Sequence, residues 1–239
     1  MTLSSITTNE ADVPDGGRPG PMLACLELHK AFGRTNALRG ASLEVAPEEI
    51  VAVMGPSGSG KSTLLHCAAG IFVPDDGAVL YRGRSIDRLP DRQRSALRRT
   101  EFGFIFQFGR LVPELSCIDN VALPLRLTGA GRREAHAQAT TWLERLEVPD
   151  VGPRLPGDVS GGQGQRVAVA RALAASPRVV FADEPTGALD SLSGERVLVL
   201  LTRAAREAKA AVVLVTHEPR VAAYADREVI VRDGRTPHP

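Results

Sequence analysis

Aromatic side chains are scarce: Phe, Tyr and Trp together make up 4% of the 239 residues. Surfaces that bind nucleic acid by stacking need aromatics interleaved with basic residues, so the shortage argues against that class. A surplus of one charge is also missing. The 29 Lys+Arg against 28 Asp+Glu leave +1, and no global field draws the chain to nucleic acid or an anionic membrane. Cysteines are few, and Cys25, Cys67 and Cys117 neither pair evenly nor follow metal-ligand spacing. They read as reduced thiols of a cytosolic protein. Long hydrophobic runs are absent: stretches such as Val197–Leu201 and Ala210–Val215 fall far short of the ~18 residues a membrane span needs. Residues 1–21 have no apolar core behind a basic start, which excludes a secretory signal.

What is present is an ordinary globular composition, 43% hydrophobic and 24% charged, which argues against disorder. The length suits one large domain or a domain with a small appendage. Lysine is used only at Lys30, Lys61 and Lys209; the other 26 of the 29 basic residues are arginines. Residues 1–22 read as a flexible polar tail, and Met22, directly before the first periodic segment, is an alternative start to Met1. Cys25–Lys30 and Ala41–Val45 alternate apolar and polar residues, as antiparallel strands do. Ile50–Met54 is a continuous apolar run, expected of a parallel strand buried on both faces. A Gly/Ser loop and a helix from Lys61 to about Gly70 follow, then strands at Ala78–Tyr81 and Gly103–Phe106.

Between Cys117 and Val148 the pattern turns helical, with Ala135, Ala139, Trp142, Leu143 and Leu146 on one face. The Pro/Gly-rich stretch Pro149–Gly157 closes it. A helix (Gln163–Ala175), a strand (Val179–Ala182), a helix (Asp190–Glu207), a strand (Ala211–Val215) and a last strand near Glu228–Val231 complete the chain. Alternating strands and helices predict a mostly parallel sheet covered on both faces, with the central helical block inserted into it.

Three segments carry chemistry. Gly55-Pro56-Ser57-Gly58-Ser59-Gly60-Lys61-Ser62 matches G-x-x-x-x-G-K-[ST], directly after a predicted strand and before a helix. Its glycines let backbone N–H groups converge on phosphate oxygens, the helix adds its positive end, and Lys61 supplies a mobile cation. Ser62 can place its hydroxyl on Mg²⁺, and Thr63 beside it completes the nucleotide-binding set. The run Val179–Ala182 ends in Asp183 and Glu184. Asp183 is placed to hold Mg²⁺ through its water shell, and Glu184 to polarise the attacking water for in-line phosphoryl transfer. Finally, Val159-Ser160-Gly161-Gly162-Gln163-Gly164-Gln165-Arg166 opens an Ala-rich helix. Ser160 and the two glycines make a second anion site there, with exposed N–H groups and a helix dipole. One protomer does not need two such phosphate sites.

With this last segment the chain resembles the ATP-binding-cassette ATPases, whose signature is LSGGQ. The resemblance runs from about Leu23 to Arg235. It implies an α/β P-loop NTPase (RecA-like) core spanning 23–239, with an N-terminal antiparallel β subdomain and an inserted α-helical subdomain at about 108–157. It implies ATP and Mg²⁺ as cofactors, and a head-to-tail homodimer in which Ser160, Gly161, Gly162 and Gln163 serve the neighbouring subunit's ATP. Phe32 stands where the family has an aromatic that stacks on adenine. Gln107, after Phe104-Ile105-Phe106, matches the Q-loop glutamine that touches Mg²⁺ or water. Asp190 in Ala188-Leu189-Asp190 matches the D-loop, and His217 in Val215-Thr216-His217-Glu218 the switch histidine that contacts the γ-phosphate. The implied catalytic set is Lys61, Gln107, Glu184 and His217, with Ser62, Gln107 and Asp183 toward the metal. Val159 for the usual Leu, Gly164 for a common Gln and Glu48 for a frequent turn Gly are the departures, and none removes a catalytic group. A competent ATPase is expected.

Gly55–His66, Glu114–Leu125, Ala182–Asp190 and Arg232-Asp233-Gly234 are similar to the LolD/MacB/FtsE group. That resemblance implies work with an FtsX-like permease on a peptide, lipoprotein or hydrophobic drug, by a subunit peripheral to the inner face of the cell membrane. A regulatory cassette that controls a cell-wall hydrolase system is the alternative. A cassette acting on nucleic acid is a weaker one. The seven arginines between Arg82 and Arg99 are interrupted by Asp87 and Asp91, and read as a solvated face rather than a nucleic-acid site. The segment from Gln107 to about Leu125 is expected to form a docking groove for a cytoplasmic helix of the permease, with Phe108, Leu111, Val112 and Leu115 among its exposed members.

Overall fold

The computed structural model describes residues 20–107 and 109–237. Two sheets organise them. Strands β1 (Leu23–Phe32), β2 (Thr35–Val45), β4 (Asp76–Tyr81) and β5 (Arg84–Ser85) form an antiparallel sheet in the order β2-β1-β4-β5. Strands β3 (Ile50–Met54), β6 (Phe102–Ile105), β7 (Val179–Asp183), β8 (Ala211–Val215) and β9 (Arg227–Ile230) form a parallel sheet in the order β6-β7-β8-β3-β9. This is the expected α/β P-loop architecture with its antiparallel sheet near the N-terminus.

The central strands are apolar at nearly every position because both their faces are covered. Successive side chains point to opposite faces. Val180, Ala182, Val212 and Leu214 therefore join the helical core on one side. Val179, Phe181, Val213 and Val215 join a second core with the antiparallel sheet and helix α1 (Lys61–Ala68) on the other. Phe181, on an interior strand, is fully buried in this second core, and truncating such a ring to alanine costs about 3–5 kcal/mol.

The helical side is built from α3 (Cys117–Leu127), α4 (Arg132–Arg145), α5 (Gly161–Ala174) and α6 (Ser191–Glu207). The stripe Ala135, Ala139, Trp142, Leu143 and Leu146 is buried as its spacing predicts. It packs α4 against α3 and α5. Short 3-10 turns at Pro149–Val151 and Pro156–Asp158 occupy the Pro/Gly stretch, and a short α7 (Pro219–Ala222) precedes β9.

Two expectations change. Residues 1–19 of the expected tail lie outside the described residues, but Met22 belongs to the fold: its carbonyl accepts from Arg82 N at 2.9 Å and its side chain packs on the sheet core. The arginine-rich segment holds a helix, α2 (Asp91–Thr100), without one buried residue. Apolar periodicity is absent from it, so only structure reveals it. Its arginines act partly as struts, Arg94 donating to the Leu89 carbonyl at 2.9 Å and Arg98 to that of Gly70.

Candidate active site

The phosphate loop runs from the end of β3 to the start of α1, and its neighbours dictate its glycines. A Cβ on Gly55 would stand 2.1 Å from the Val231 carbonyl oxygen, and one on Gly60 2.4 Å from that of Ala37. The C-terminal turn braces the loop from behind: Val231 N donates to Met54 O (2.7 Å), Gly234 N to Ser59 O (2.9 Å), and Arg39 N to Gly234 O (2.7 Å). Sequence reasoning missed this brace because it joins positions far apart in the chain. Its one local signal is the glycine at 234, where φ is +75° and a Cβ would stand 2.8 Å from Ala37 O.

Lys61, buried at 6% exposure, folds back on its own loop and donates to the carbonyls of Gly55 (2.8 Å) and Pro56 (2.9 Å). The Ser62 hydroxyl donates to Asp183 Oδ1 at 3.0 Å, so the loop and the end of β7 share one oxygen cluster. Burial pushes His66, one turn further along α1, below the usual histidine value, against the opposing pull of Asp183. Glu184 sits in the left-handed region (φ +46°), its N–H on the Val215 carbonyl at 3.0 Å. There its Oε1 lies 2.8 Å from His217 Nδ1. Gln107, at the end of β6, lies against Gly187: its Nε2 would be 3.0 Å from a Cβ there, and Glu184 Cβ 3.6 Å. Lys61, Ser62, Asp183, Glu184, Gln107 and His217 thus gather along one edge of the parallel sheet.

Phe32, at the tip of the β1–β2 hairpin, is 46% exposed. Its ring meets Phe72 edge-on at 5.4 Å, with Lys30 Nζ 5.7 Å from its centroid. Ala37 and Leu38 of the same hairpin touch Gly60, which ties the hairpin to the phosphate loop.

Ser160–Gln163 stand apart from this cluster. Ser160 caps α5 through a reciprocal box, Gln163 N donating to Ser160 Oγ (3.2 Å) and Ser160 N to Gln163 Oε1 (3.0 Å). Gly161 and Gly162 lie against Leu189 and Ser193. Asp190 caps α6 by accepting from Ser193 N at 2.9 Å, and that bond holds its carboxyl below the usual carboxylate range. Ser160 and Gly161 are exposed. Among the described residues none of Ser160–Gln163 hydrogen-bonds to the phosphate loop, Asp183, Glu184 or His217.

The expected docking residues need correction. Phe108 lies outside the described residues, and Leu111, Val112 and Leu115 are half-buried rather than exposed, Leu111 packing on the helical core. Asn120 pins this segment by accepting from Val112 N (2.8 Å) and donating to the Val112 and Leu115 carbonyls (3.0 Å each). The open apolar surface is a neighbouring groove of about 570 Å³, lined among others by Phe104, Phe106, Leu123 and Leu127, with Arg98 and Arg99 along it.

Compared with known proteins, residues 38–187 match the ABC transporter family. The chain belongs to that family. It is 44% identical to the lipoprotein-releasing system ATP-binding protein LolD 2 of Caulobacter vibrioides over 218 residues, covering 90% of this chain and 96% of that protein. It is also 44% identical to LolD of Bordetella pertussis over 220 residues, covering 90% and 95%. The solved dimeric structure of the ABC transporter cassette MJ0796 superposes with a TM-score of 0.84 at 36% identity, covering 91% of this chain and 97% of that one. A second dimeric structure of MJ0796, in a post-hydrolysis state with ADP and Pi, gives 0.83 at the same identity.

The protein is accordingly an ABC transporter ATP-binding subunit of the LolD/MacB/FtsE group, an ATPase that uses ATP and Mg²⁺. The residues present fit both. Ser62 Oγ and Asp183 Oδ1 are hard oxygen donors, which suits Mg²⁺. The buried Ser59 hydroxyl inside the loop has no hydrogen-bond partner among the described residues, an orphan that a polar ligand would satisfy.

Proposed function

We propose that this cassette hydrolyses ATP as a head-to-tail homodimer and thereby drives an FtsX-like permease that extracts or exports a lipoprotein, peptide or hydrophobic drug. The observation that carries the reading is the division of the site: one chain gathers Lys61, Ser62, Asp183, Glu184, Gln107 and His217, while among the described residues its Ser160 cap makes no hydrogen bond to any of them. A second copy supplies the missing cap, and the dimeric solved relatives support that arrangement. The names of the curated relatives support the lipoprotein as substrate.

In this reading residues 23–239 form one cassette with a helical subdomain at about 108–157. Gly55, Pro56, Ser57, Gly58, Ser59, Gly60 and Thr63 cradle the phosphates, and Phe32 offers its ring to adenine. Lys61 leaves the Gly55 and Pro56 carbonyls for phosphate oxygens. Ser62, with Asp183 and Gln107 through water, would hold Mg²⁺, which would supply neutralisation of charge on the transferring group. Glu184 accepts a hydrogen from the attacking water and orients it, with His217 fixing the carboxylate from its other side. In the second copy the Ser160 hydroxyl and the N–H groups of Gly161 and Gly162 meet the same phosphate, Gln163 holds Ser160 in place through the capping box, and Asp190 caps the helix beside them. No described helix is long and apolar enough to cross a membrane. Membrane attachment runs through the permease, docked in the groove of Phe104, Phe106, Leu123 and Leu127.

Glu184→Gln tests the shared site. The variant should bind ATP, hydrolyse it at least about 100-fold more slowly, and scatter light as a dimer in MgATP and as a monomer without it. A monomer under both conditions, with ATP bound, overturns the shared site. Leu127 is 59% exposed, so Leu127→Glu should fold and bind ATP yet lose co-purification with its membrane subunit. Recovery of DNA or ribosomes with the wild-type protein in place of a membrane subunit would sink the transport reading.

A further inference from the structure

We propose that Arg171 and Gln165 are positioning residues that lock the Gln107 segment to helix α5, so that Gln107 and the Ser160 cap shift as one body. The proposal rests on the roles assigned above to Gln107 and Ser160. The chain leaves β6 at Ile105 and runs across α5 before Asn120 pins it at Val112. Along that stretch α5 grips it on both sides of Gln107. Gln165 Nε2 donates to the Phe106 carbonyl at 3.3 Å. Arg171 Nη2 donates to the Gly109 carbonyl at 2.9 Å and Nη1 to the Arg110 carbonyl at 3.0 Å.

The backbone is shaped for this grip. Gly109 and Arg110 both lie in the left-handed region, with φ of +67° and +41°. Arginine rarely adopts that conformation, so the surroundings must hold it there. One planar guanidinium with parallel donors suits two successive carbonyls as a lysine cannot. Gly109 also packs closely on the helix, where a Cβ would lie 3.4 Å from Gln165 Oε1 and 3.7 Å from Ala168 Cβ. The Arg110 guanidinium meanwhile folds over the Phe106 ring at 5.4 Å, closing the loop on itself.

Arg171 has no carboxylate within ion-pair distance among the described residues, and burial pulls its guanidinium below the usual arginine value. A half-buried cation without a counter-ion is costly, so its two carbonyl partners are the stabilising contacts that fix its place. Gln165, 3% exposed, spends its amide donor on the same loop. At the opposite end of this helix Ser160 and Gly161 are exposed. The 14 residues of α5 span about 20 Å as a rigid rod. A displacement of the Ser160 end, where the second copy's phosphate is to bind, therefore carries the Phe106–Arg110 backbone with it. Gln107, carried on that backbone with its side chain against Gly187, moves relative to Glu184.

A double-mutant cycle with Gln107→Ala tests this. Arg171→Met should lower kcat roughly tenfold while KM for ATP stays within about twofold, and should lower it no further in the Gln107→Ala background. Arg171→Lys, which keeps the charge but satisfies one carbonyl at a time, should recover part of the rate. It carries the same cycle if Arg171→Met does not fold. Amide exchange in the nucleotide-free protein should rise for residues 109–112 in the variants and stay unchanged in β7 and β8. Additive losses, in which the arginine costs the same factor with or without Gln107, would reduce Arg171 to a structural role and overturn the proposal. Full hydrolysis by Gln107→Ala alone would instead remove Gln107 from the machinery and the coupling with it, a separate outcome from additivity.

Discussion

The sheet side and the helical side of this cassette are held together by different means. Around the phosphate loop the bonds are mostly backbone to backbone: Val231 to Met54, Gly234 to Ser59, Glu184 to Val215. On the helical side the decisive ties are single side chains: Asn120 on Val112 and Leu115, Gln165 on Phe106, Arg171 on Gly109 and Arg110, His136 on Asp119. Arg166 adds another, reaching the Glu147 carbonyl at 2.9 Å from α5. A backbone ladder fixes geometry whatever the side chains do, whereas struts can shift together as one unit. In the proposed dimer, the half of the site that must be ready before ATP arrives sits on the ladder, and the half offered to a second copy sits on the struts.

The comparison breaks most visibly if the two halves are not shared between copies. Lys61→Ala and Ser160→Arg should each abolish hydrolysis alone. Mixed in equal amounts they should recover roughly a quarter of the wild-type rate, because half the dimers are mixed and each of those holds one intact site of two. No recovery, with mixed dimers demonstrated, would place both residues in the same chain's site.

The next effect concerns the ladder. Gly234→Ala places a Cβ 2.8 Å from the Ala37 carbonyl oxygen at a φ of +75°, and such strain costs about 1–3 kcal/mol. Denaturant unfolding should show that loss together with weaker ATP binding, since the same turn braces the loop. A stable Gly234→Ala with normal affinity would mean the loop does not depend on its brace. Smaller again is the hairpin ring. Stacking is worth about 0.5–1.5 kcal/mol beyond buried area. Phe32→Ala should weaken ATP binding severalfold without lowering stability, because the ring is nearly half exposed. Unchanged affinity would remove Phe32 from the adenine site.

What could be read from the sequence follows the same division. β3, β7 and β8 were legible because burial on both faces leaves an uninterrupted apolar run, and the phosphate loop because its glycines answer to local backbone demands. The α4 stripe was legible from its spacing. Helix α2 was not, since nothing in it is buried and its arginines find their carbonyls in other segments. Arg171 was invisible for a related reason: its partners lie 61 and 62 residues earlier, and its place in an Ala-rich helix gives no local sign of them. The exposure of Leu111 was misjudged because it turns inward to the helical core, whereas Phe104 and Phe106 line the open groove.

The smallest effect sharpens the contrast from the helical side. The Asp119 carboxyl is held below the usual carboxylate range chiefly by the Ser116 hydroxyl, with further pulls from His136, 2.8 Å away on α4, and from Arg132. A carboxyl depressed in the folded state adds stability that is fully present above its unfolded value, ~3.9, and is lost as pH falls through the folded one. Asp119→Asn should therefore be less stable than wild type by a small amount at about pH 5, where the carboxylate is ionised. The difference should shrink below pH 4 as the wild-type carboxyl takes up its proton. The pair is partly exposed, so solvent screens it and the difference stays small. Amide exchange locates it: the variant should loosen α3 and α4 and leave β7 and β8 as they were. Equal loosening of sheet and helices would show that the struts and the ladder open together, and that the two sides form one cooperative unit.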